Sequence, residues 1–156
     1  DWKTVQGKIP WGILILIGGG FALAGGFGAT GLDKWIGGKL TGIENWPLWC
    51  VVLSICLAIT FLTELTSNTA TTTMILPILG MSAVAGNIHP LFFMVPATLA
   101  ASFAFMLPVA TPPNAIVFGS GWVTIPQMSR AGLVLNFVGA GIVTTAVLVL
   151  VKSLFL

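Results

Sequence analysis

Hydrophobic positions in this chain run in long arms, and the short polar breaks between them set its organisation. Residues 46–63 and 74–85 are almost wholly hydrocarbon, yet between them stands Ser67-Asn68-Thr69-Ala70-Thr71-Thr72-Thr73. A second break, Ala110-Thr111-Pro112-Pro113-Asn114, follows about forty residues later. Polar backbone at membrane depth persists only where protein or a water-filled cavity surrounds it, so two such breaks point to one binding site.

Charged residues punctuate the remainder, at 1, 3, 8, 33, 34, 39, 44, 64, 130 and 152. The charge-free windows 9–32, 45–63, 65–129 and 131–151 each hold a helix of roughly 20 residues, enough for a ~30 Å hydrocarbon core. A polar lead ending at Pro10 opens a glycine-laced span over 11–31. Over 32–44, Leu32, Trp35, Ile36, Leu40 and Ile43 recur at helical spacing opposite Asp33, Lys34, Lys39 and Glu44. That pattern predicts a short interfacial helix, with a polar loop around Gly37, Gly38 and Gly42 as the alternative.

Residues 46–86 read as a hairpin with its tip near Asn68. Its second arm, 70–85, is too short for a full crossing, so the hairpin is expected to be re-entrant. Residues 90–122 read as a broken helix: apolar from Leu91 to Leu107, interrupted by prolines, and resuming at about Asn114 as N-cap. Residues 130–152 read as a plain last span, with Gly132, Gly139 and Gly141 as packing notches and no functional role expected.

Composition fixes the solvent. Hydrophobic residues make up 56% and charged ones 6%, with a mean hydropathy of +1.05, which predicts an all-α integral membrane protein crossing more than once. A net charge of +2, thinly scattered, gives no basis for nucleic-acid binding. Trp2, Trp11, Trp35, Trp46, Trp49 and Trp122 fall near window edges, as interfacial anchors do. Cys50 and Cys56 lack metal or disulfide spacing and read as buried thiols. Met74, Met81, Met94, Met106 and Met128 read as core, and His89 as a boundary residue. The G-x-G-x-x-G at Gly26, Gly28 and Gly31 has neither the strand before it nor the acidic residue after it that a dinucleotide site needs. With no cleavage-site pattern, the first span reads as retained and not as a signal peptide, and beginning at Asp1 with no Met, the chain reads as a piece of a longer protein.

A helix ending at the hairpin tip offers carbonyl oxygens, suited to a cation, and the one beginning there offers N–H groups, suited to an anion. The proline break repeats the arrangement with the carbonyls of Val109, Ala110 and Thr111. Ser67, Asn68, Thr69 and Thr111 add oxygen and amide groups fit for Na⁺ and a carboxylate. No Lys or Arg lies between 65 and 129. A bound Na⁺ about 4 Å from the anion would supply roughly 4 kcal/mol at an effective dielectric near 20. Glu64, the acidic residue inside an apolar region, reads equally as a proton carrier, a distant cation partner or a group that shapes the tip. Kinked helices whose Ser and Thr only bond their own backbone are the alternative to a site.

Thr63-Glu64-Leu65-Thr66-Ser67-Asn68-Thr69-Ala70-Thr71-Thr72-Thr73 and the run Ala104-Phe105-Met106-Leu107-Pro108-Val109-Ala110-Thr111-Pro112-Pro113-Asn114-Ala115-Ile116-Val117-Phe118 resemble the divalent anion/sodium symporter family, carriers of citrate and C4-dicarboxylates. Lys3-Thr4-Val5, Trp11-Gly12 and the triple glycine before Phe21 extend the resemblance. It implies sodium-coupled symport by the C-terminal half of a two-repeat elevator transporter, each inverted repeat having a hairpin and a broken helix. Asn68, Thr69, Thr111 and Pro112 would contact substrate carboxylates, and Thr63, Thr66, Ser67, Asn68 and Ala110 would hold one Na⁺. Thr66 departs from the small alanine frequent in relatives.

The same resemblance assigns 1–31 to a scaffold, 32–44 to a linking helix and 45–156 to half of a moving transport domain. It also implies an N-terminal repeat, a homodimer, a place in the cell membrane and a C-terminus outside. Counting Lys and Arg does not settle orientation, because three fall on each side. A proton-coupled or exchanging anion carrier, and a non-transporting membrane subunit, are the alternative functions.

Overall fold

The computed structural model describes residues 1–7, 46–155 and positions 15, 18, 19, 22, 25, 26, 29, 30 and 31. The span expected over 11–31 lies largely outside the described residues, and the interfacial helix over 32–44 entirely so. The described residues form helices and no strands: α1 (Trp2–Gln6), α2 (Leu48–Thr63), α3 (Asn68–Ala85), α4 (Leu91–Ala100), α5 (Pro112–Gly119) and α6 (Ile125–Phe155).

Local chemistry fixes most of the helix ends. Pro47, which needs no N–H, precedes α2, and its carbonyl accepts from Cys50 N–H at 2.8 Å. α3 closes in a Schellman turn: Asn87 takes the left-handed φ of 54°, its N–H donates to Val84 O, and Ile88 N–H donates to Ala83 O at 2.9 Å. α6 opens at Thr124 with one half of a capping box, in which the N–H and hydroxyl of Thr124 donate to Gln127 Oε1 at 2.9 and 2.8 Å. That cap starts the last helix five residues before Arg130, earlier than the expected 130–152.

Helix α4 is the central element, packed against α2, α3 and α6, while the two hairpin arms touch each other much less. Val52, Cys56 and Ile59 bury one stripe of α2, and Ala140, Val143, Val147 and Val151 one stripe of α6. Phe92, Phe93, Ala97 and Ala100 fill the space between them, with Ala83 from α3. Cys56 is buried within this core and Cys50 half-buried, both free. Met74 is an exception to the core reading, since it is exposed.

Ile125–Ser153 is, among the described residues, the one helix long and apolar enough to cross a membrane. At 1.5 Å per residue its 29 residues span about 43 Å, beyond the ~30 Å core.

The break in the second helical unit is longer than expected and starts sooner. α4 stops at Ala100 rather than near Leu107, and non-helical chain runs from Ala101 to Thr111. No proline or glycine ends α4 there. Two threonines one turn apart on α2 capture its last carbonyls instead: Thr60 donates to Ala100 O at 3.4 Å and Thr63 to Ala101 O at 2.9 Å.

Candidate functional site

At the hairpin tip Ser67 is extended, with φ −69° and ψ 133°, and its side chain makes no capping bond. The N–H groups of Asn68, Thr69 and Ala70, in the first turn of α3, therefore have no intrahelical acceptor. Thr71 N–H already donates to Ser67 O at 2.8 Å. Much of the threonine run is spent locally: Thr72 donates to Asn68 O and Thr73 to Thr69 O, each at 2.7 Å. Thr66 donates to Leu62 O at 2.9 Å and meets the Thr71 hydroxyl. Self-bonding thus accounts for the later threonines and leaves Ser67 and Asn68 as the reaching groups.

The break loop is held from three directions. Glu64, 4% exposed, accepts from Met106 N–H at 2.9 Å through Oε1 and from Leu107 N–H at 3.1 Å through Oε2. Asn136 Nδ2, from the middle of α6, donates to Glu64 Oε1 at 2.8 Å. From the far side, Asn114 Nδ2 donates to Ala104 O at 2.7 Å and to Leu107 O at 3.0 Å. At Gly132 on α6 the loop passes so close that an added Cβ would lie 2.3 Å from Phe105 O. Of the three readings open for Glu64, the geometry supports the third: the carboxylate ties the hairpin tip to the break loop.

The N-cap of α5 is Thr111, not Asn114. Thr111 is extended, with φ −144° and ψ 152°, and its hydroxyl accepts from Asn114 N–H at 3.4 Å. Pro112 and Pro113 occupy the first turn, where a missing N–H costs nothing. The start of α5 therefore carries almost no free donor, unlike the start of α3, so the two breaks are not chemically equivalent. The carbonyls of Val109 and Ala110 accept no hydrogen bond among the described residues.

Tip and break face each other across a cleft of about 740 Å³. Of the residues expected to contact substrate or Na⁺, Thr66, Ser67, Asn68, Ala110, Thr111 and Pro112 line it, and Glu64, Val109 and Asn114 join them. Thr63 does not: it is fully buried behind the wall, where its hydroxyl, whose proton goes to Ala101 O, also lies against the Asn68 side-chain amide. Thr69 is exposed and is absent from the cleft lining. Among the described residues, no Lys or Arg lines the cleft. Sequence reasoning passed over Thr60, Ser129 and Asn136, and gave Gly132 only a packing role. The one available signal was Asn136, a lone amide in the apolar window 131–151.

An all-helical membrane region with a cleft between two breaks in its helices has the build of a membrane transporter. The chain belongs to the sodium:sulfate symporter family, whose transmembrane region matches it over residues 1–156. It is similar to solute carrier family 13 member 2 of Mus musculus, at 55% identity over 146 residues, covering 94% of this chain and 25% of that protein. It is 50% identical over 151 residues to the sodium-dependent dicarboxylate transporter SdcS of Staphylococcus saprophyticus, covering 97% and 29%. With the Na(+)/dicarboxylate cotransporter 3 of Homo sapiens it shares 46% over 154 residues, covering 99% and 26%. The chain thus spans about a quarter of the length of these relatives, where the motifs suggest a half.

Proposed function

We propose that this chain supplies one substrate-binding repeat of a sodium-coupled symporter of di- or tricarboxylates. The observation that carries the reading is the division of labour across the cleft. Free N–H groups at the start of α3 suit a carboxylate, unpaired carbonyls of the break loop suit a hard cation, and among the described residues no basic side chain lines the cleft to neutralise the anion. Na⁺ is then cargo and counter-charge at once. Oxygens of Thr66, Ser67, Asn68 and Ala110 would hold it, with Thr63 acting through Asn68. Asn68, Thr111 and Pro112 would meet the carboxylate, while Thr69 would contribute through its backbone N–H.

Two of the relatives, a sodium-dependent dicarboxylate transporter and a Na(+)/dicarboxylate cotransporter, support this cargo. In the same reading the chain is the C-terminal repeat of an elevator carrier in the cell membrane, with its C-terminus outside. The hairpin is re-entrant, residues 1–31 are scaffold, 32–44 link, and 45–156 move. An inverted N-terminal repeat completes the site, and two copies form the dimer.

Succinate uptake into proteoliposomes of the full-length carrier should vanish when K⁺ or choline replaces Na⁺. Unchanged uptake would defeat sodium coupling and favour a proton-coupled or exchanging carrier. Asn68→Ala and Thr111→Ala should each lower uptake by roughly ten-fold or more, the loss of one good polar contact, with membrane insertion intact. Wild-type uptake in both variants rules out this assignment of the cleft.

A further inference from the structure

Asn136 sits midway along α6, among aliphatic side chains, and is fully buried. Its amide nitrogen serves Glu64, but its own carbonyl oxygen is buried without a partner. A leucine, which branches the same way but is larger, would remove that unsatisfied oxygen and suit the helix better. What the asparagine offers in exchange is the one side-chain donor to the Glu64 carboxylate among the described residues, whose other two partners are backbone N–H groups of the break loop.

The surroundings give that bond a direction. Ser129, Gly132 and Asn136 fall at i, i+3 and i+7, one stripe of α6. Ser129 Oγ donates to Met106 O at 3.2 Å, and Gly132 lies against the Phe105–Met106 backbone. One face of the last helix therefore touches the break loop twice directly and once through Glu64. Without the amide donor the carboxylate is free to rotate about its last torsion and to lose one of its two backbone partners.

We infer that Asn136 is a positioning residue for the cleft: it fixes the Glu64 carboxylate in the orientation that reaches both Met106 and Leu107, and so sets the break loop against the hairpin tip. It does this from outside the cleft lining. The inference rests on the symporter reading only where transport is the readout.

The test uses Asn136→Leu in the full-length protein in lipid nanodiscs, with Asn136→Ala in its place if the leucine variant fails to insert. Backbone hydrogen exchange over residues 103–110 should accelerate by about ten-fold, the loss of one hydrogen bond, while α2 and the remainder of α6 stay within about two-fold. The double variant Asn136→Leu/Glu64→Ala should exchange no faster than Glu64→Ala alone, because Asn136 acts through the carboxylate. In proteoliposomes the apparent KM for succinate should rise by about ten-fold, with the maximal rate within about two-fold. Unchanged loop exchange, uniform acceleration along α6, or additive effects in the double variant would each overturn the inference. Absence of sodium-dependent uptake by the parent would instead remove the symporter reading, and the exchange data would still decide the role of Asn136.

Discussion

Glu64→Ala should abolish sodium-dependent uptake while leaving the protein in the membrane. The substitution withdraws the acceptor from Met106 N–H, Leu107 N–H and Asn136 Nδ2 together. Buried donors left without partners cost about 1–3 kcal/mol each, and bonds to a charged acceptor are the stronger kind. The break loop would rearrange to find water or new carbonyls, and the cleft wall at Val109–Thr111 would move with it. Glu64→Gln keeps one acceptor oxygen, so its uptake should fall between wild type and alanine. Uptake and surface expression measured on all three decide the matter. Alanine within about two-fold of wild type would mean that Glu64 does not hold the loop.

Gly132→Ala should be nearly as damaging, for a reason that involves no charge. The added methyl carbon would lie 2.3 Å from Phe105 O, 2.5 Å from Phe105 C and 2.6 Å from Met106 N, all backbone atoms with no flexible side chain to swing aside. Either the loop or α6 must shift, at about 1–3 kcal/mol for an overpacked site. Gly141 on the same helix is the internal control, since a methyl added there would meet nothing within 4 Å. Gly141→Ala should be neutral or stabilise by up to about 1 kcal/mol through helix propensity. Thermal unfolding in detergent and uptake should therefore separate the two alanine variants sharply. Equal behaviour would argue that the break loop is not held against α6.

The sequence made the two breaks legible because they are compositional: hydroxyls, an amide and prolines inside hydrocarbon. It also led to six of the expected substrate and Na⁺ contacts that meet at the cleft. Where α4 ends was not legible, because the one helix breaker between Leu91 and Leu107, Pro96, sits inside α4 and not at its end. The carbonyl captures by Thr60 and Thr63, some 40 residues earlier in the chain, are tertiary and leave no periodic mark. The start of α5 was readable in principle. A residue before proline is pushed to extended backbone, which is what an N-cap requires, and that favours Thr111 over Asn114. The start of α6 was readable too, from Thr124 and Gln127 at capping-box spacing. The role of Glu64 stayed open because a lone acid in an apolar stretch has the same signature whether it carries a proton or accepts hydrogen bonds.

The partners of Glu64 lie 42, 43 and 72 residues further along the chain. At roughly 5–20 residues per second of synthesis, Asn136 follows Glu64 from the ribosome by roughly 4–14 s. For that interval the carboxylate lacks its full set of three donors. The bonds of the hairpin tip are therefore complete only once α6 has been made. A ribosome stalled before residue 136 would leave a chain whose tip carboxylate lacks its side-chain donor.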